Sequence, residues 1–176
     1  MFQKACYIFY MSYSIRSTNQ ADLPKLEAIF SQARSFMRES GNLSQWPEGT
    51  PKIEEVKRDI AQGVSYVVTD GDSLIATFSA IPGIDPTYLD IEGEWLNDEE
   101  YVTIHKLAKG KEGTHIFEFV VDFCFRIADN IRIDTHEDNA PMRHLLKKNG
   151  FSYCGIIHLK NGEPRLAFQK IRKKDD

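Results

Sequence analysis

His105 and the glycine loop that begins at Gly110 are the first residues in this sequence whose types and spacing could do chemistry. His105 lies in Tyr101-Val102-Thr103-Ile104-His105-Lys106-Leu107-Ala108, whose alternation predicts a strand. Alternation puts Thr103, His105 and Leu107 on one face and Val102, Ile104 and Lys106 on the other. An imidazole of ordinary pKa, about 6.5, can accept or give a proton near neutrality. The plain alternative is a structural histidine hydrogen-bonded inside the sheet. Lys109-Gly110-Lys111-Glu112-Gly113-Thr114 then breaks the strand with two glycines and two lysines. Residues 116–127, with Phe117, Phe119, Val120, Val121, Phe123, Cys124 and Phe125, are apolar enough to predict a helix packed on a sheet. Backbone N–H groups at a helix N-terminus, with lysines beside them, suit a phosphate. The plain alternative is a strand-to-helix connection whose glycines only make the turn.

These residues need a frame. Ile131-Arg132-Ile133-Asp134-Thr135-His136 reads as a second strand, and Asp138-Asn139 caps a helix with Pro141 in its first turn. Lys147-Lys148-Asn149-Gly150 closes that helix with basic residues and a terminal glycine, and Phe151 opens another strand. Strand, helix and strand at this spacing predict a crossover, hence one parallel strand pair.

His105-Lys106-Leu107-Ala108 before the glycine loop, and Asp138-Asn139-Ala140-Pro141-Met142 leading to Lys148-Asn149-Gly150-Phe151, resemble the GCN5-related N-acetyltransferase family. The resemblance covers nearly the whole chain. It implies an α/β (α+β) domain: a twisted mixed sheet, mainly antiparallel, with one splayed parallel pair and helices on both faces. It implies acetyl-CoA as co-substrate, no metal, and direct transfer of the acetyl group to a primary amine. Leu107, Ala108, Lys109, Gly110, Lys111, Glu112, Gly113, Thr114, His115 and Asn139 would hold the cofactor. The family loop usually reads Gln/Arg-x-x-Gly-x-Gly/Ala, whereas the one here is a shorter Gly110-x-x-Gly113. The tyrosine that many members place on the last helix falls at Leu146.

Acetyl transfer needs a neutral attacking amine, so a base must take a proton from the ammonium. In the family that base often comes from the strand before the loop, which points to His105. Tyr153 is the candidate donor to the leaving thiolate, against a plain strand aromatic; Cys154 beside it is a nucleophile or a small buried hydrophobe. Trp46, Tyr88 and Trp95 are candidates to line the acceptor pocket or to fill core, and Glu92, with Glu94, suits a cationic acceptor. A rival from another class is a non-catalytic acyl-CoA-sensing or protein-interaction module on the same fold.

Length and composition set the bounds. The chain has 176 residues, 41% hydrophobic and 27% charged, ordinary for a soluble protein with a sizeable core. The net charge of −4 gives no general attraction to nucleic acid or anionic membrane. Cys6, Cys124 and Cys154 lack CxxC spacing, and the five histidines are scattered, so neither a disulfide framework nor a metal site is expected. The expected layout is a lead-in over residues 1–11, one acetyltransferase-like domain over 12–172 and a solvated tail over 173–176. The apolar run 5–10 is too short to span a bilayer and lacks a cleavage site, so a cytoplasmic protein is expected, with a homodimer as the oligomeric option.

The remaining pattern is regular. Residues 12–17 predict a strand, and Thr18 or Asn19 caps a helix through Glu39. Thr50-Pro51 predicts a cap and first-turn proline for a second helix ending at Gly63. Residues 64–69 and 73–81 flank Asp70-Gly71-Asp72, and 153–159 and 165–171 flank Lys160-Asn161-Gly162-Glu163; both predict hairpins.

Overall fold

The computed structural model describes residues 12–173; the lead-in and the end of the tail lie outside the described residues. Among the described residues eight strands form one sheet in the order β1-β2-β3-β5-β6-β8-β7-β4. They are β1 (Tyr13–Ser17), β2 (Ser65–Asp70), β3 (Ser73–Pro82), β4 (Ile91–Gly93), β5 (Val102–Lys109), β6 (Asn130–Thr135), β7 (Ser152–His158) and β8 (Pro164–Ile171). Every neighbouring pair is antiparallel except β5 and β6. That parallel pair is joined through α3 (Ile116–Cys124), as the crossover pattern predicts. The architecture is the expected one, a mixed, mainly antiparallel sheet with helices on both faces.

Helices α1 (Leu23–Glu39) and α2 (Ile53–Ala61) cover one face. Leu26, Ile29, Phe30 and Val56 pack there on Val67 and Ala108. Asn19 opens this layer with a reciprocal cap shared with Asp22, but over a 3-10 turn that precedes α1. The start of α2 differs from expectation. Thr50 turns its hydroxyl back to the Pro47 carbonyl, which stops it capping, and α2 begins after Lys52.

On the other face α3 and α4 (Ala140–Lys148) bury Phe117, Val120, Val121 and Leu146 against Phe78, Val102, Ile104, Ile131 and Phe168. Each such side chain contributes about 1.5–3 kcal/mol. Leu146, at the family's tyrosine position, is fully buried in this layer and carries no proton donor.

Two features of β5 shape the middle of the sheet. First, β5 and β6 pair only at Val102↔Ile131 and Thr103↔Arg132, then part. Second, β5 carries a bulge against β3. Ser79 pairs with His105 and Thr77 with Ala108, so two residues, Lys106 and Leu107, oppose Phe78. Lys106 sits at φ +53, the left-handed region. The bulge overturns the simple alternation: Leu107 packs with Ile104 and α3, while Lys106 turns to the α2 side with His105. Period-2 counting fails here because the extra residue resets the faces.

Candidate functional site

His105 stands on the face covered by α1, α2 and the segment 83–97, just beyond the last rung joining β5 to β6. Its Nε2 lies 2.8 Å from Asp85 Oδ2. Asp85 comes from the β3–β4 connection, where it caps a short 3-10 turn over Pro86–Tyr88 by accepting from the Thr87 amide and hydroxyl. The Asp85 amide donates to Tyr101 Oη. The carboxylate is therefore fixed before it meets the imidazole. With Nε2 engaged by Asp85, Nδ1 is the ring nitrogen left to accept a proton.

Burial tends to raise the Asp85 pKa, but hydrogen bonds from His105 and Thr87 outweigh it and hold the carboxyl at about 2, below the usual 3.8. Because the folded pKa is the lower one, the unfolded chain binds more protons between these values. The resulting stability, up to about 2 kcal/mol, is full above pH 3.8 and is lost as pH falls through about 2. Denaturant melts of the wild type and Asp85→Asn are expected to differ at pH 5 and converge toward pH 2. A gap that stays constant would show that Asp85 contributes no charge-linked stability.

Around this pair the polar groups are packed against one another. Tyr88 donates its hydroxyl to Asp134 Oδ1 at 2.6 Å, and burial, reinforced by that carboxylate, raises its pKa well above the phenol value. The Arg132 guanidinium lies between Trp95 and Tyr101, 4.1 and 4.0 Å from the ring centres, and donates to the Asn97 carbonyl. Gln169, fully buried, holds Asn97, Asn130 and the Leu96 amide together.

The glycine loop lies where β5 gives way to α3. Gly110 donates its amide to Ile75 O, and Thr114 donates its amide to Tyr13 Oη. Gly113 has φ +90, and a Cβ there would press on Ile116 and Ile75 at 3.0 and 3.1 Å. The positive φ, more than the contact with two flexible side chains, favours glycine here whether or not a phosphate approaches it. Lys109 bends back to the Gly110 carbonyl, and Lys111 and Glu112 are exposed. His115, at φ +57, is the residue before α3, and the first-turn amides after it precede the helix's own ladder. Glu118 in that turn lies 3.6 Å from His115 Nδ1 and 3.8 Å from Lys148 Nζ.

Asn139 caps α4 by accepting from the Met142 amide, as expected, and donates Nδ2 to Gln45 Oε1 at 2.9 Å. The same Gln45 oxygen receives Asn42 Nδ2 at 3.0 Å and, at 3.4 Å, Thr135 Oγ1 and the His136 amide. The α1–α2 connection thus reaches the end of β6 and the start of α4, beside the parting strands.

Other expected site residues are placed elsewhere. Trp46 packs edge-on against Phe30, Tyr88 is 1% exposed, and Trp95 stacks on Tyr88 and Arg132. Tyr88 and Trp95 belong to the wall beside His105, whereas Trp46 belongs to the separate cluster under α1 and α2. Glu92 is on edge strand β4, 3.6 Å from His158. Tyr153 pairs with Phe168 and lies on the α3/α4 face, two strands from β6, in a groove with Arg143, His144 and Lys147. The sheet separates it from His105, so the two do not meet. Burial raises the Cys154 thiol and pushes Cys124 up to about 12, so neither is a thiolate near neutrality.

Asp85, Gln45, Asp59 and Arg132 carry no role in the sequence reading. Asp85-Pro86-Thr87 holds a local signal, an Asx cap, but its partner His105 is 20 residues away on another strand. Among the described residues no group of three or more His, Cys, Asp or Glu could hold a metal ion, and no helix is long and apolar enough to cross a membrane.

No family model matches the chain, and no curated protein does. Solved structures do. A GNAT-family acetyltransferase from Streptococcus agalactiae 2603 superposes with a TM-score of 0.82 at 29% identity, over 93% of this chain and 98% of that one. A GNAT-family acetyltransferase from Listeria monocytogenes gives 0.68 at 18% identity, over 90% and 94%. Arabidopsis thaliana Naa50 in complex with the bisubstrate analogue CoA-Ac-MVNAL gives 0.58 at 14% identity, over 90% and 98%. With its parallel pair parting after two rungs and α3 rising from the glycine loop, the chain has the GCN5-related N-acetyltransferase fold.

Proposed function

We propose that the chain transfers the acetyl group of acetyl-CoA to a primary amine, with His105 as base and Asp85 as the residue that orients it. The observation that carries the reading is the His105–Asp85 pair at 2.8 Å, with His105 two residues beyond the last β5–β6 rung at Thr103. Acetyl-CoA supplies a thioester carbonyl open to attack by an amine. The chain's own groups suit the remaining tasks. Amides of β5 that face β6 beyond Thr103 have no ladder partner there and are available to a bound carbonyl or amide. The N-terminus of α3, with Lys109 and Lys111 close in sequence, favours the phosphates. Asn139 stands at the head of α4 with its amide aimed at the α1–α2 connection. His105 Nδ1 takes the ammonium proton while Asp85 holds Nε2, which stabilises the charged imidazolium.

Heat denaturation with and without acetyl-CoA tests binding. A ligand at a hundred times its Kd stabilises by about 2.7 kcal/mol, roughly 5–10 °C for a chain of this size. Thiol release is then followed across a panel of amines: a polyamine, free amino acids, an aminoglycoside and a peptide N-terminus. Turnover with one of them is the expected result. An unchanged melting temperature at millimolar acetyl-CoA, with no heat of binding, overturns the proposal. Binding without turnover on any amine favours the non-catalytic module.

A further inference from the structure

We infer that the ion pair between Lys106 and Asp59 is a clamp that holds the β5 bulge, and with it the gap between β5 and β6, in its open shape. Lys106 and Asp59 are positioning residues in this account, and it rests on the reading that acetyl-CoA lies in that gap.

The left-handed position of such a bulge ordinarily belongs to glycine, because a Cβ there meets the next carbonyl. Here it is held by lysine, at φ +53. An unconstrained lysine would leave that conformation, since the penalty corresponds to roughly five- to thirtyfold in equilibrium. Something outside β5 must therefore keep it in place. Lys106 Nζ lies 2.8 Å from Asp59 Oδ2 on α2. Asp59 is 7% exposed, and the same oxygen accepts from Ser79 Oγ at 2.6 Å. Ser79 is the β3 residue that pairs with His105. The carboxylate thus ties the left-handed lysine both to α2 and to the strand opposite the bulge. The β5–β6 rungs stop at Thr103, three residues before Lys106. A β5 that relaxed at Lys106 would return toward regular extension and offer its amides to β6 again. The clamp also aims His105, the residue immediately before the bulged lysine.

Two substitutions at one position separate the clamp from the bulge. Lys106→Met removes the ammonium and keeps the backbone penalty. Lys106→Gly removes the ammonium and the penalty together. Lys106→Met is expected to weaken acetyl-CoA about tenfold by calorimetry, as the open population falls, while Lys106→Gly stays within about twofold of wild type. Amide hydrogen exchange over residues 104–108, without ligand, is expected to speed up in Lys106→Met and to stay near wild type in Lys106→Gly. Equal weakening by both variants, or none by Lys106→Met, overturns the inference. Should Lys106→Met not fold, Asp59→Asn keeps a partner for Ser79 and removes the charge, and its weakening is expected to be recovered in Asp59→Asn with Lys106→Gly; absence of recovery overturns the inference. If wild type itself does not bind acetyl-CoA, the proposed function fails and the exchange pattern alone decides the clamp.

Discussion

Replacing His105 by alanine is expected to lower kcat/KM by about 10²–10⁴-fold, the usual range for a general base, with acetyl-CoA affinity nearly unchanged. The side chain faces Asp85 and the 83–97 segment, while the phosphate-binding candidates lie at the far end of β5. Asp85→Asn is expected to fall between wild type and His105→Ala, because the imidazole remains but loses the charge that supports its protonated form. The pH profile separates base from scaffold. The residual rate of His105→Ala should keep climbing at alkaline pH as more acceptor amine is neutral, so its deficit against wild type should narrow there. A folded His105→Ala protein that binds acetyl-CoA and turns over at the wild-type rate near neutrality would make His105 structural. Glu92, the carboxylate suggested by sequence for a cationic acceptor, is tied to the β4 edge beside His158 and is poorly placed to take over.

The largest expected effect on stability is at Gly155. Gly93 of β4 and Gly155 of β7 are directly paired, and a Cβ on either would overlap backbone of the other strand, the Cys154 carbonyl from Gly93 and the Glu92 carbonyl from Gly155. Gly155→Val is expected to cost about 3 kcal/mol, hence a melting point lower by roughly 6–12 °C. Gly162 is the comparison: it also has positive φ, +86, but nothing lies within 4 Å of its added Cβ. Gly162→Ala should therefore lose only the backbone term, about 1 kcal/mol. If Gly155→Val melts with Gly162→Ala, β4 yields without resistance and the close approach of the two strands has no energetic weight. The same variant should disturb Trp95 fluorescence, because Glu94 hangs on the Cys154 carbonyl one residue before the Trp95–Arg132 stack.

The parts of this fold that were legible are those written locally. Asp70-Gly71-Asp72 turns β2 into β3, and Asn139 and Gly150 bound α4, because each signal and its consequence lie within a few residues. The apolar run after the glycine loop announced α3 in the same way. The site was legible only where it coincided with such a segment, as at His105. Lys106 gave no warning of a bulge, since the residue type that marks one is glycine. Asp85 and His105 meet only once β3 and β5 are neighbours, and Gln45 reaches Asn139 across 94 residues. Aromatic composition left pocket and core open for a related reason. Tyr88 and Trp95 have the chemistry of a pocket lining or of core, and only the folded chain shows them packed together with Tyr101 and the buried Arg132 of β6.

The order of the strands also governs how such a sheet can be built during synthesis. Among the described residues β8 is the last strand in sequence, yet it lies inside the sheet between β6 and β7. A nascent chain that has reached α4 already owns six strands, of which β1, β2, β3, β5 and β6 are contiguous in the sheet, with the glycine loop, α3 and the Asn139 cap. It does not yet own the floor under Tyr88, because Ala167 and Ile157 belong to the strands still to be added. Until β8 arrives, the β4–β7 pair has no link to the rest of the sheet, and β6 presents an unpaired row of amides and carbonyls to any neighbouring chain. The half of the molecule that would hold the cofactor can thus mature first, and the half that carries the Tyr88–Trp95 wall is completed by a long-range pairing made late. Such late, non-local closure is slow and exposes strand edges to aggregation, so a stalled or truncated chain lacking residues 164–171 is the form most prone to self-association.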